Sequence, residues 1–371
     1  MKKNIIISGG GTGGHIIPAI AIGNAINEID KDIEVVYVSG DKEVELKFYK
    51  NKNRRIIPIK AVQKGLFGKI KSFFNIIKSV LISIKLIREL KPIAVIGTGG
   101  YVSAPVLFSA CLLRVPTLIQ EQNSLPGKTN RFLARFVDEI AASYEGSLKY
   151  FKGKNVKVLG NPIIIKDREL TREEALKTFD LKDGKPICLI FGGSQGSLKI
   201  NKIVLEMLQN GLFKDVDLQI IWICGIGKYF EEIKKGLEGF ETGKVNLKIY
   251  EYVDDMGSAE KIADFGITRA GAITLTELAY YGIPSILVPY PFAKEDHQRL
   301  NAQEMINTGG CKMILDAELT PESLTNGIKE MLSDRKKLIE MKDKIKKFSK
   351  PQSAIEIAKE VIELARRKGK Y

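Results

Sequence analysis

The sequence predicts an α/β protein of two Rossmann-like, doubly wound parallel-sheet domains, and three observations predict it. Short β-branched runs alternate with helix-length segments, the pattern of parallel strands covered on both faces. The runs form two series: 4–8, 34–38, 56–59, 92–97, 116–120 and 138–142, then 186–191, 218–223, 246–250, 264–268, 284–288 and 311–315. Two series within 371 residues call for two domains. Glycine-rich loops follow strand ends in both halves, where open α/β sheets bind ligands. The expected linker is Gly160-Asn161-Pro162, because proline ends regular structure and biases its predecessor to extended backbone. The domains then cover 1–160 and 161–349. A helix at about 351–368 follows Pro351, in a final segment, 350–371, that can pack back on the first domain.

Composition narrows the function. Hydrophobic residues at 44% and charged residues at 27% fit a globular chain with a real core. Cys111, Cys188, Cys224 and Cys311 are far apart and beside apolar runs, so they read as reduced core thiols. The apolar start at Ile5–Ile7 meets Gly9-Gly10-Gly11, too soon for a signal peptide. No run reaches the ~18 apolar residues of a membrane span. A net charge of +14 implies an anionic partner. That charge is local: residues 47–88 hold twelve Lys or Arg and no acid.

From the N-terminus, the first strand runs into Gly9-Gly10-Gly11-Thr12-Gly13-Gly14-His15. Glycines 9, 11 and 14 satisfy G-x-G-x-x-G, in which backbone amides approach phosphates at a helix N-terminus. A dinucleotide site would need an acid ending the second strand; that strand ends Val36-Tyr37-Val38-Ser39 and Asp41 lies beyond a glycine. Asp30-Lys31-Asp32 spells a metal-binding D-x-D but precedes its strand, so it reads as a solvated loop and no metal is assigned. Within the basic segment, Leu66, Phe67, Ile70, Phe73, Phe74 and Ile77 recur at helical spacing, flanked by Lys71, Lys78 and Lys85. For residues 62–78 this reads as a basic amphipathic surface for anionic lipid; residues 79–90 read as an ordinary helix on its sheet. The aromatics match no nucleic-acid module.

Gly97-Thr98-Gly99-Gly100-Tyr101 and Gly192-Gly193-Ser194-Gln195-Gly196 are further strand-end loops, without the Gly-Lys-[Ser/Thr] of an ATP site. Such loops in both halves suggest a phosphate-rich ligand in a cleft between the domains. Gln120-Glu121-Gln122-Asn123 is a polar cluster at another strand end, suited either to orienting a hydroxyl or to capping a helix. Gly271 turns the chain into a helix whose first amides can hold a diphosphate without metal, with Glu277 one turn in to accept from ribose hydroxyls. Gln298 offers a donor and an acceptor for sugar hydroxyls. The two histidines, His15 and His297, both fall in motif loops, and His15 is a candidate general base.

Together, Gly10-Gly11-Thr12-Gly13-Gly14-His15, Gly99-Gly100-Tyr101-Val102-Ser103-Ala104-Pro105, Glu121-Gln122-Asn123, Gly160-Asn161-Pro162, Gly192–Gly196 and Gly271-Ala272-Ile273-Thr274 resemble the MurG family. Its members are the N-acetylglucosaminyltransferases that convert lipid I to lipid II in peptidoglycan synthesis. The resemblance spans nearly the whole chain. It implies a GT-B fold and an inverting transfer, without metal or cofactor, from UDP-N-acetylglucosamine to the C4 hydroxyl of the muramyl sugar of undecaprenyl-pyrophosphoryl-N-acetylmuramyl-pentapeptide (lipid I). The setting would be the cytoplasmic face of the cell membrane, with an anionic lipid surface and other cell-wall enzymes as partners and no nucleic acid.

By the same resemblance, Ser194, Ala272, Ile273 and Thr274, with Leu275 and Thr276 behind them, serve the donor diphosphate. Glu277 serves the ribose, the backbone near Val253 the uracil, and Gln298 and Asn123 the sugar. Thr12, Gly13 and Gly14 bind substrate, while Gly99, Gly100, Tyr101 and Asn130 face the acceptor. His15 and Glu121 are the catalytic candidates, His15 as base or as a group holding the acceptor. Two positions depart from the family pattern: Ile163 and Ile164 stand where Arg is usual, with Lys166 or Arg168 as substitutes, and Gln120 stands where His is usual. A UDP-sugar 2-epimerase or lipid glucosyltransferase on the same fold is the alternative, and a non-enzymatic surface-binding module is a third reading.

Overall fold

The structure, a computed structural model, describes residues 3–57, 66–165, 170–193 and 195–371, without the side chains of 66–73 and 228. The chain divides into two compact units, Met1–Ile164 with Lys350–Tyr371, and Ile165–Ser349.

In the first unit, seven parallel strands run in the order β3-β2-β1-β4-β5-β6-β7: β1 (Lys3–Gly9), β2 (Ile33–Ser39), β3 (Arg54–Ile56), β4 (Ala94–Gly99), β5 (Thr117–Glu121), β6 (Glu139–Ala142) and β7 (Val156–Val158). The helices are α1 (Gly13–Ile29), α2 (Glu43–Phe48), α3 (Leu66–Leu90), α4 (Ser103–Leu112) and α5 (Lys128–Leu133). Strand alternation sends Ile5 and Ile7 to one face, with Ile16 and Ile20 of α1, and Ile6 to the other, with Ile87 of α3 and Val106 and Leu107 of α4. That is why β1 is apolar at every central position. The last helix, numbered α14 (Ser353–Arg367), closes the first face with Ile357, Val361 and Ile362. Lys157–Glu360 at 2.6 Å, Arg367–Glu139 at 2.6 Å and Lys368–Asp138 at 2.8 Å pin it beside β6 and β7.

The second unit repeats the plan with six parallel strands in the order β10-β9-β8-β11-β12-β13: β8 (Ile187–Phe191), β9 (Gln219–Ile223), β10 (Asn246–Tyr250), β11 (Phe265–Thr268), β12 (Ser285–Leu287) and β13 (Cys311–Met313). Its helices are α6 (Arg172–Thr178), α7 (Leu198–Gln209), α8 (Lys228–Gly236), α9 (Met256–Ile262), α10 (Ala272–Tyr281), α11 (His297–Asn307), α12 (Pro321–Ser333) and α13 (Arg335–Lys347). Cys188 and Ile190 face one layer; Ile187, Leu189 and Phe191 face the other.

Both sheets reverse strand order beside their first strand, and ligands bind at the carboxyl ends of strands at such a switch point. In the first unit these ends carry the loops after β1 and β4; in the second, the loops after β8 and β11. Two strands differ from the sequence reading. The run at 56–59 is replaced by β3 at Arg54–Ile56, pairing at the sheet edge with Tyr37–Ser39, and residues 58–59 lie outside the described residues. β7 was not predicted: it is a three-residue edge strand with no buried residue.

Candidate functional site

The loop after β1 turns into α1 with Thr12 as N-cap and His15 in the first turn. His15 Nδ1 lies 3.1 Å from the Thr98 carbonyl oxygen and 3.0 Å from Gln122 Oε1. Thr98 Oγ1 donates back to the His15 carbonyl at 2.7 Å, so β4 holds both the ring and the helix start. Gly99 and Gly100 are required here. Both have positive φ, +101° and +80°; a Cβ on Gly99 would stand 2.8 Å from His15 Nδ1, and one on Gly100 would stand 2.1 Å from the Gly10 carbonyl. Tyr101 follows, and its hydroxyl donates to the Glu45 carboxylate at 3.3 Å. Burial and that carboxylate push the phenol well above its usual range.

Sequence reasoning missed Glu45. It is fully buried, and its Oε1 accepts the Gly11 N–H at 2.6 Å. Oε2 accepts Lys42 N–H at 3.1 Å. A carboxylate of α2 thus takes one of the glycine-loop amides that the motif reserves for phosphate. The visible signal was a glutamate three residues after the N-cap Lys42, which reaches back to that residue's N–H and in the sequence reads as solvated surface.

At the end of β5, Glu121 is buried and accepts from Asn123 N (2.9 Å), Asn123 Nδ2 (3.2 Å), Gly127 N (3.1 Å) and Asn130 Nδ2 (2.7 Å). A carboxylate with four such bonds organises the 123–130 loop. It leaves Asn130 Oδ1 buried with no hydrogen-bond partner among the described residues. Gln120, where the family usually has His, donates to Asn161 Oδ1 at 3.4 Å.

In the second unit, Gly271 caps α10, and no acid occupies the helix's first turn. The Ala272, Ile273 and Thr274 N–H groups have no intrahelical partner and sit at the positive end of the helix dipole. Leu275 offers a ligand little: its side chain is fully buried and its N–H bonds Gly271 O at 3.0 Å. The Thr276 hydroxyl donates to Ala272 O at 2.9 Å. Glu277 is largely enclosed, and burial pushes its carboxyl up to about 7. Gln298 Oε1 accepts both Ala270 N–H (3.1 Å) and Tyr290 N–H (3.0 Å), so its NH2 end is the one a ligand could use. Val253 is half-buried against the same core. Ser194, Lys166 and Arg168 lie outside the described residues.

Two supports here were also missed. Arg269 Nη1 pairs with Asp316 Oδ1 at 2.5 Å and donates to the Val288 and Pro289 carbonyls at 3.2 Å, fastening the loops that carry Gly271 and Gln298. Asn201 donates to Cys224 O at 2.8 Å and accepts from Trp222 Nε1 at 3.1 Å, fastening α7 to β9. Burial pushes the Cys224 and Cys311 thiols up to about 12, which disfavours the thiolate a nucleophile needs. Among the described residues no cluster could hold a metal ion.

Of the amphipathic stretch, Leu66, Phe67, Ile70, Lys71 and Phe73 have side chains outside the described residues. Phe74 is 64% exposed, Ile77 is 41% exposed and Lys78 is exposed. From Ser79 onward α3 turns inward, with Ser79, Ser83 and Ile87 buried. Exposed Leu112, Phe132 and Phe136 on α4 and around α5 add apolar surface that the sequence reading did not single out.

Two parallel-sheet units with loops at their switch points have the architecture of the GT-B glycosyltransferases. Residues 5–142 match the glycosyltransferase family 28 N-terminal domain and residues 187–357 the family's C-terminal domain. The chain is 38% identical, over 97% of its length and 98% of the relative's, to a Finegoldia magna protein named UDP-N-acetylglucosamine--N-acetylmuramyl-(pentapeptide) pyrophosphoryl-undecaprenol N-acetylglucosamine transferase. Among solved structures, Acinetobacter baumannii MurG aligns with a TM-score of 0.78 at 27% identity, covering 97% of this chain and 99% of that one. A Neisseria meningitidis UDP-GlcNAc 2-epimerase shares the fold alone, with a TM-score of 0.66 at 14% identity over 98% of this chain and all of that one. The chain belongs to glycosyltransferase family 28, in its MurG branch.

Proposed function

We propose that this protein transfers N-acetylglucosamine from UDP-N-acetylglucosamine to the C4 hydroxyl of the muramyl sugar of lipid I, with inversion and without a metal. The observation that carries the donor half is the start of α10: three amides at a helix N-terminus with no acid in the first turn, and Glu277 one turn behind. Amides and dipole there stabilise the negative charge that grows on the leaving diphosphate. Glu277 takes the ribose hydroxyls, and Gln298 gives its NH2 to the sugar. On the first unit, His15 takes the proton of the acceptor hydroxyl, Glu121 holds the 123–130 loop that carries Asn123 and Asn130, and Tyr101 lies beside the acceptor.

The epimerase reading has only fold-level likeness behind it. The acceptor is lipid-linked, and the exposed apolar residues of α3, α4 and α5 with Lys78 suit the anionic inner face of a membrane. No helix among the described residues is long and apolar enough to cross one. The test is UDP release from UDP-N-acetylglucosamine with and without a short-chain lipid I analogue. Release that requires the analogue and yields a disaccharide supports the proposal. Turnover without acceptor returns the epimerase reading.

A further inference from the structure

We infer that Gln122 is a positioning residue that, with the Thr98 carbonyl, fixes which ring nitrogen of His15 carries the proton. A neutral imidazole has one N–H and one lone pair, and its neighbours decide where each sits. His15 Nδ1 faces two groups, Thr98 O at 3.1 Å and Gln122 Oε1 at 3.0 Å. A backbone carbonyl can only accept. An amide side chain can present either end, so the orientation of Gln122 must be read from its other contacts.

Those contacts are one-sided. The nitrogen end of Gln122 meets Thr98 O at 2.6 Å, Gln120 O at 3.2 Å and Gln120 Oε1, all acceptors. Gln120 is oriented in turn, because its own nitrogen faces Ser143 Oγ at 3.3 Å. The Ser143 hydroxyl donates to Glu121 O at 2.7 Å and so accepts from Gln120. Two backbone carbonyls, Thr98 O and Gln120 O, therefore hold the nitrogen end of Gln122 and leave its carbonyl oxygen pointing at His15. Turning Gln122 over would set its oxygen against three acceptors, at the cost of every bond it makes.

Both neighbours of Nδ1 accept, so Nδ1 holds the proton and the lone pair lies on Nε2. The ring packs close against the backbone of Gly99, where a Cβ would stand 2.8 Å from Nδ1. The clamp uses neutral acceptors where a carboxylate would be the common partner. It survives protonation, because the imidazolium keeps the same Nδ1–H bonds while Nε2 takes the new proton.

The kinetic part of this inference rests on the proposed role of His15 as base; the tautomer does not. The full chain, labelled with 15N-histidine, has two histidines, and a His297→Asn variant assigns them. Long-range 15N–1H correlation above the titration range should show His15 as the Nδ1–H form, with Nε2 unprotonated. Gln122→Met keeps the volume and removes the acceptor. It should introduce a detectable Nε2–H population and lower kcat by roughly 10-fold or more, with KM for UDP-N-acetylglucosamine within about two-fold. An Nε2–H signal for wild-type His15 overturns the inference, and that measurement needs no variant to fold. A Gln122→Met protein with unchanged His15 signals and unchanged kcat also overturns it. A tautomer shift without a kcat change supports the inference and sinks the base reading instead.

Discussion

The glycine loops of the first unit and the helix start after β11 both lie at strand ends, and they are built in opposite ways. After β1 and β4, the glycines let the protein approach itself: Glu45 takes the Gly11 amide, and in the loop after β4 Gly100 abuts the Gly10 carbonyl while Gly99 makes room for the His15 ring. After β11, the single Gly271 opens α10, whose first turn carries no acid. The first unit spends its glycines on placing a side chain; the second, in the proposed reading, leaves a helix end for an anion. A G-x-G-x-x-G pattern states only that backbone will come close to something, and a neighbouring carboxylate decides whether that something is a ligand.

The contrast breaks most visibly at His15. His15→Ala should lower turnover by about 10²–10⁴-fold, the usual worth of a general base, with UDP affinity unchanged by calorimetry. Equal losses in both would make His15 a binding residue. Glu45→Ala should come next, through folding. Each buried donor left without its acceptor costs about 1–3 kcal/mol, so urea denaturation should show a loss of that order or more, while UDP binding by the variant at low temperature persists. A drop in UDP affinity as large as that of a second-unit variant would erase the distinction between the loops.

A smaller effect is expected at the membrane. Phe74→Asp with Ile77→Asp should weaken association with vesicles containing anionic lipid by about 10-fold or more, since apolar insertion is lost and negative charge gained. UDP affinity should not move, and unchanged vesicle binding would return this end of α3 to an ordinary surface.

The finest test is pH. Burial holds the Glu277 carboxyl at about 7, above the ~4.3 of an unfolded chain. In the proposed role of Glu277, ribose hydroxyls donate to the ionised form, so UDP affinity should rise as pH passes upward through 7 and then level off. The free protein responds in the opposite sense. A raised folded-state pKa means that Glu277's contribution to stability is full below the unfolded value and is lost as pH rises through 7. Glu277→Gln should flatten both slopes; slopes that persist belong to another group.

Much of the fold was legible because parallel strands buried on both faces must be apolar at every position, as Ile5, Ile6 and Ile7 are. β7 was not legible, since a three-residue edge strand with no buried residue leaves no such run. At the site, glycine loops, His15, Glu277 and Gln298 were visible as residue types at strand ends. Glu45 was not, because a glutamate within Lys-Glu-Val-Glu-Leu-Lys reads as solvated surface. Nor was the role of Gln122, which lies 107 residues from His15 in sequence. Arg269 and Asn201 were missed for the same reason: their partners are brought near only by the sheet.

The packing of α14 has a consequence for the order in which the protein can be finished. The second unit is one unbroken stretch of chain, whereas the first is interrupted by it. Ile357, Val361 and Ile362 share a core with Ile5, Ile7 and Ile16. On the ribosome that apolar face therefore waits uncovered while the whole second unit is made, roughly 10–40 s at bacterial synthesis rates of about 5–20 residues per second. The part of the molecule that carries His15 begins first and is completed last.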